Sequence, residues 1–415
     1  MEQRTTHTAL RMGGRDPFED GRVATPLELL FDLTFVIAFG AASSELAHLL
    51  VAEHVWDGIV GFAFATFAVS WAWINFTWFA SAYDTDDWIY RLTTMVQMVG
   101  VLVLALGLPP MFESLVEGEH VDNRVMVLGY VVMRVPMILQ WLRAGRQDPG
   151  RADISRMMIV SLVVSQVGWV LLALANTSIP VTFACVAVLI AVETVSPLVA
   201  ERRGDGTPWH PHHIAERYGL LVIISLGEGL LGTVAALSAI IGREGWTVDV
   251  AVLGVAGVGV TFGMWWTYFV IPSGDLLHAY RRRSFVWGYG HIPLFGALVA
   301  VGAGLHAAAY RLEDHSGLTD TQTVLAVVVP LGVYVGLLYL LYALLTWTFD
   351  PFHALLIGGS AVVLAAGTVM VAAGAPLTWS LLVVALTPWV TVVGYETVGH
   401  RHNEDVLAHL ASDDV

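Results

Sequence analysis

Lysine is absent from this 415-residue chain, and all 20 basic residues are arginines. That bias reflects genome composition more than mechanism. Charge of either sign is scarce, at 13% of residues against about 25% in soluble domains. With 56% hydrophobic residues and a mean hydropathy of +0.68, the shortfall excludes an ordinary soluble domain and points to a membrane protein. The one cysteine, Cys185, lies inside an apolar run. An intrachain disulfide is thereby excluded, and no zinc ligand set is suggested. Walker, Gly-x-Ser-x-Gly and His-Glu-x-x-His motifs are all missing, so ATP-driven transport by this chain alone is not expected. No catalytic set, cofactor or metal ion is expected. The net charge of −15 sits largely in loops and tails and argues against nucleic acid as a partner.

What is present is a succession of long apolar runs. A helix needs about 20 such residues to cross a bilayer. On that ruler the chain is an all-α polytopic membrane protein. Twelve spans fall near 26–50, 58–82, 90–112, 124–144, 155–175, 179–200, 214–240, 248–272, 284–310, 321–347, 352–374 and 378–399. The first apolar run is long, bears charge and has no small-residue cleavage pattern, so it reads as a span rather than a signal peptide. Arginine placement supports the count. With the N-terminus inside, Arg4, Arg11, Arg15, Arg22, Arg143, Arg146, Arg151, Arg156, Arg202, Arg203, Arg281, Arg282, Arg283 and Arg401 are cytoplasmic. Only Arg124, Arg243 and Arg311 fall outside. This is the positive-inside bias, and it places both termini in the cytoplasm.

The two halves share an order of features. Thr25-Pro26-Leu27-Glu28 opens the first, and Thr207-Pro208 precedes Glu216 in the second. Trp71 and Trp73 are followed by Asp84 and Arg91; Trp265 and Trp266 are followed by Asp275 and Arg282 at the same spacing. Glu193-Thr194-Val195 ends one half and Glu396-Thr397-Val398 the other. Six spans per half predicts two parallel six-helix repeats. The organisation is then 1–25 cytoplasmic segment, 26–200 first repeat, 201–213 linker, 214–399 second repeat and 400–415 cytoplasmic tail.

Ionisable side chains inside spans are expensive and mark candidate pathways. Glu28 and Asp32 share one face of span 1. A capping box explains Glu28 equally well, whereas Asp32 lies a turn deeper. Span 7 begins with His213, Glu216 and Arg217; Glu216 is expected to face the bundle beside Glu28 and Asp32, with His213 on its face. Glu228 lies about 18 Å further along and is the sharpest signal. Arg134, near the middle of span 4, needs an acidic partner, and Glu228 and Glu45 are the candidates. His291 lies about 10 Å in from Arg281–Arg283. Arg91, Glu193 and Glu396 complete the candidate pathway set.

Three stretches carry a resemblance: Pro26-Leu-Glu28-Leu-Leu-Phe31-Asp32-Leu-Thr-Phe35-Val36; His213-Ile-Ala-Glu216-Arg217-Tyr218-Gly219-Leu220 continuing to Gly227-Glu228; and Trp265-Trp266-Thr-Tyr268 with Asp275–His278 and His291. In them the chain resembles the bacterial low temperature requirement protein A family, LtrA. It departs where members often have a second Phe and an Asp, carrying Leu30 in the first stretch and Phe269-Val270 in the third. The resemblance implies a multi-pass inner-membrane protein and a link to growth in the cold, with no settled activity. The leading expectation is a secondary transporter or ion-coupled permease with a buried polar site between the repeats. Its partners would be the bilayer and a small solute or ion. An intramembrane lipid-modifying enzyme and a structural or regulatory membrane protein are the alternatives.

Overall fold

A computed structural model describes residues 9–401, apart from 349. Arg4 and nearly all of the 400–415 tail lie outside the described residues. The rest is helical, with one isolated bridge between His120 and Ser178. The helices are α1 (Pro26–Val51), α2 (Val55–Tyr83), α3 (Trp88–Leu106), α4 (Leu108–Glu117), α5 (Arg124–Gln147), α6 (Ala152–Ala175), α7 (Ile179–Glu201), α8 (Pro211–Glu244), α9 (Val248–Phe269), α10 (Ser273–Ala279), α11 (Ser284–Leu312), α12 (Asp320–Thr346), α13 (Pro351–Ala372), α14 (Leu377–Ala385) and α15 (Thr387–Gly394). They form twelve stretches long and apolar enough to cross a membrane, each matching an expected span. The protein is therefore multi-pass and contacts the bilayer. Leu33, Val163, Leu171, Val362 and Val369 are among the large apolar side chains left exposed, as lipid-facing positions require.

Spans 3 and 12 break where the sequence interrupts helical hydrogen bonding. Span 3 passes from α3 to α4 at Gly107, just before Pro109 and Pro110. The last span breaks between α14 and α15 beside Pro388 and closes in a π turn at Tyr395–Gly399. Proline supplies no N–H to the preceding turn, which accounts for both positions. Helix starts follow capping chemistry. Asp87 accepts from the Tyr90 N–H ahead of α3, and Thr319 and Gln322 form a reciprocal box ahead of α12.

The chain divides into two compact units. The first holds residues through Ala42 together with Ala68–Arg217. Its α3 and α5 meet at glycines: a Cβ on Gly129 would lie 2.5 Å from the Leu104 nitrogen and 2.7 Å from the Gly100 oxygen. Only a residue without a side chain permits that approach. Trp141 packs edge-on against Phe79 and Tyr83, and Phe31 lies 3.9 Å from Phe76 between ring centroids. The second unit holds Ser43–Phe67 and the chain from Tyr218 onward. There α8 and α11 approach through Gly232 and Gly302; a Cβ on Gly302 would meet Glu228 at 2.7 Å.

Residues 9–25 precede α1 as a polar strap on the first unit. Met12 is fully buried, and the Arg15 N–H donates to the Ala82 carbonyl at 2.9 Å. The Leu10 N–H donates to Asp87, which also forms an ion pair with Arg143. The connection into α8 folds back onto the same unit. Thr207, Trp209 and His210 are buried, and His210 bonds Ser81 through its backbone N–H and the Glu19 carbonyl through its ring.

Candidate functional site

The first unit gathers Glu28, Asp32, His213, Arg217 and Trp73 into one buried cluster. Glu28 and Asp32 lie one helical turn apart at the start of α1, and His213 and Arg217 are one turn apart at the start of α8. Two ladders of polar groups therefore face each other over a single turn. Arg217 bridges the carboxylates, with Nη1 2.7 Å from Glu28 Oε1 and Nη2 2.5 Å from Asp32 Oδ1. His213 Nε2 stands 3.1 Å from the same Glu28 oxygen. The Trp73 indole N–H donates to Asp32 at 2.7 Å. The Arg217 guanidinium also lies 5.7 Å from the Trp73 ring and 5.9 Å from Phe76, within cation–π range. Glu28, His213 and Arg217 side chains have no exposure, and Asp32 has 3%.

The capping-box reading of Glu28 holds, and the same side chain is also part of the ion cluster. Its Oε2 accepts from the Thr25 N–H at 2.8 Å, while its own N–H donates to the Thr25 hydroxyl, closing the capping box. The other oxygen carries the ion pair. One carboxylate thus starts the helix and anchors α8.

The expected place of Glu216 needs correction. Arg217, not Glu216, faces Glu28 and Asp32. Glu216 is exposed and accepts from the Ala24 N–H at 3.1 Å. Neighbours on a helix point about 100° apart, so only one of the two can face in, and the acidic partners select the cation. The histidine cluster also divides. His210 and His213 are buried, while His212 is exposed.

The partner of Arg134 is corrected as well. It pairs with Glu193 at 3.1 Å in place of the expected Glu228 or Glu45. Both side chains are 5% exposed. Trp169 donates to the other Glu193 oxygen at 2.9 Å, and Arg134 lies over the Tyr130 ring at 5.2 Å. This pair balances one charge with one charge. The remaining candidate of this unit, Arg91, is exposed and forms a two-pronged pair with Asp86 at 2.7 and 2.8 Å.

Glu228, His291 and Glu396 belong to the second unit. Glu228 is 3% exposed and lies beside Ser43. Among the described residues no guanidinium pairs with it. His291 is enclosed by aromatic rings, accepts from or donates to Tyr268 at 3.1 Å, and bonds the Trp287 carbonyl at 2.7 Å. Both ring nitrogens are thereby engaged. Glu396 is exposed and accepts from the Trp266 indole at 3.2 Å. Among the described residues no three His, Cys, Asp or Glu side chains are gathered to hold a metal ion.

Sequence reasoning missed a polar layer next to the cluster. Asp84 is buried 3.6 Å from Arg22 and 3.9 Å from Arg15. Burial, then the negative charge of Glu28, pushes its carboxyl up to about 6, against the pull of Arg22, the Asp86 N–H and Arg15. Asp87 moves the other way: burial raises it, but Arg143 and the N–H groups of Tyr90 and Leu10 outweigh that and hold it below the usual range. The acidic run Asp84-Thr-Asp86-Asp87 was the available signal. A raised carboxyl favours the protonated fold, so its stabilising effect is complete below pH ~4 and lost as pH rises through ~6. Asp84→Asn, which fixes the uncharged form, should therefore raise the melting temperature at pH 7.5. The gain should be at most about 3 kcal/mol. It should shrink as melts are repeated toward pH 5; a variant less stable than wild type at pH 7.5 would show that the arginines dominate.

No solved structure matches the chain. An uncharacterized protein of Rhizobium meliloti (strain 1021), RA0937, is 26% identical over 296 residues, 67% of each chain. The sequence model of the bacterial low temperature requirement A protein (LtrA) matches residues 23–388, a range that contains the whole Glu28–Asp32–His213–Arg217 cluster. Matched from just before α1 to the start of α15, the chain belongs to the LtrA family.

Proposed function

We propose that this LtrA protein is an ion-coupled secondary transporter of the inner membrane, and that the cluster in its first unit is the coupling site. The observation that carries the reading is a charge count. Two carboxylates, Glu28 and Asp32, share one guanidinium, Arg217, and none of the three side chains is more than 3% exposed. A buried excess charge inside a membrane-spanning segment is expensive. Neutrality calls for one further proton, held by His213 or by one carboxyl, and a group that must gain a proton to stay buried is suited to trade it for a translocated ion. By contrast, Arg134–Glu193 is already neutral and serves as a fastening. The proposed topology has both termini in the cytoplasm, supported by the arginine bias, and two parallel six-helix repeats, supported by the shared order of motifs.

The test uses liposomes containing the purified protein and a trapped pH dye, challenged in turn with inorganic cations, inorganic anions, amino acids and organic acids. At least one class should drive proton movement above that of protein-free liposomes. Glu28→Gln and Asp32→Asn should abolish it. Glutamine can retain the capping-box bond to Thr25, so Glu28→Gln separates the charge from the cap. Proton movement identical in wild type, both folded variants and protein-free liposomes across all four classes would sink the reading.

A further inference from the structure

We infer that the second unit carries a binding slot for one acyl chain of a membrane lipid. A cavity of about 650 Å³ lies between α1, α2, α11 and α12. The slot exists because the facing positions are small: Ala63, Gly296, Ala297, Ala300 and Ala326 form much of its walls. Of its lining residues only Thr66 and Gln322 are polar, and none is charged. The Gln322 side-chain oxygen is already engaged by Thr319 in the helix cap. A water-soluble ligand would find almost nothing to orient it there, whereas small-molecule sites of this size ordinarily carry a few well-placed polar groups.

The dimensions specify the occupant. Along α2 the wall runs from Val55 to Thr66, and along α12 from Gln322 to Val333. Each is about 16 Å of helix rise. The hydrocarbon core is about 30 Å thick, so the slot reaches one leaflet deep. Its shallow end lies at the helix ends, where the turn after α1 meets the turn before α12 through a Gly317 N–H to Val51 carbonyl bond of 2.9 Å. Ionisable pairs stand at that rim, His54 with Asp57 and Arg311 with Asp320. An apolar slot one leaflet long, topped by charged groups, fits a lipid whose tail enters and whose headgroup stays at the surface. This proposal is independent of the transport reading, which concerns the other unit.

The experiment places the full-length protein in liposomes containing a trace of phosphatidylglycerol with a photoactivatable diazirine along one acyl chain. After illumination, adducts are mapped by mass spectrometry. They should concentrate on 55–66, 292–300 and 322–333. Ala63→Phe combined with Ala300→Phe, which fills the slot, should reduce those adducts roughly tenfold. Val329→Trp is the second variant; Val329 is 58% exposed and lines the slot, so the change leaves the core intact. Adducts spread evenly over the lipid-facing α6, α7 and α13, and unchanged in both variants, would mean annular lipid only and would overturn the proposal.

Discussion

Arg217→Met is expected to destabilise the folded protein by about 3–5 kcal/mol, enough to lose most of it in a thermal melt. The variant roughly keeps the volume of the side chain but leaves Glu28 and Asp32 one turn apart in a buried site. Breaking a buried ion cluster by removing one partner is far worse than never having had it, because two buried carboxylates are then left with no guanidinium between them. The triple variant Glu28→Gln, Asp32→Asn, Arg217→Met removes that charge and should recover much of the loss. Melting temperatures of the single and triple variants in one detergent decide the matter. A single variant that melts with wild type would show that the cluster contributes no net stability. Recovery in the triple variant without recovery of proton movement would separate holding the fold from the proposed coupling.

Arg134 and Glu193 should behave as a two-member version of the same physics. Arg134→Leu leaves a buried carboxylate with the Trp169 indole as its one partner among the described residues, and Glu193→Leu leaves a buried guanidinium over Tyr130. Each single change should cost about 3–5 kcal/mol. The double variant, apolar on both sides, should be more stable than either, with a coupling of about 1–3 kcal/mol in the double-mutant cycle. Additive losses would show that the two residues act separately. Because this pair is balanced, its removal should leave any proton movement of the refolded double variant intact, in contrast to changes at Glu28 and Asp32.

Much of the architecture was legible in the sequence because it depends on local composition. Apolar runs must satisfy their own backbone groups in lipid, so length and hydropathy alone placed all twelve spans. The capping box at Thr25–Glu28 was equally readable, since its partners are three residues apart. The broken spans at Gly107 and Pro388 were written in residues that interrupt helices, although only the coordinates showed the breaks.

Pairing was a different matter. The cluster joins residues 185 positions apart, and Arg134 meets Glu193 across 59. No periodicity ranks Glu193 above Glu228 or Glu45 as the partner of Arg134, because all three are carboxylates on apolar helices. The same limit explains Glu216 and Arg217: the sequence presents both, and the rotation of α8 against α1 decides which is buried. By itself the sequence determined the membrane class, the number of spans, the Thr25–Glu28 helix cap and the family motifs, all set by composition or by interactions within a few residues. Tertiary structure decided which charges are shared and which stay at the surface, because burial and ion pairing arise only when distant helices remove a side chain from water together.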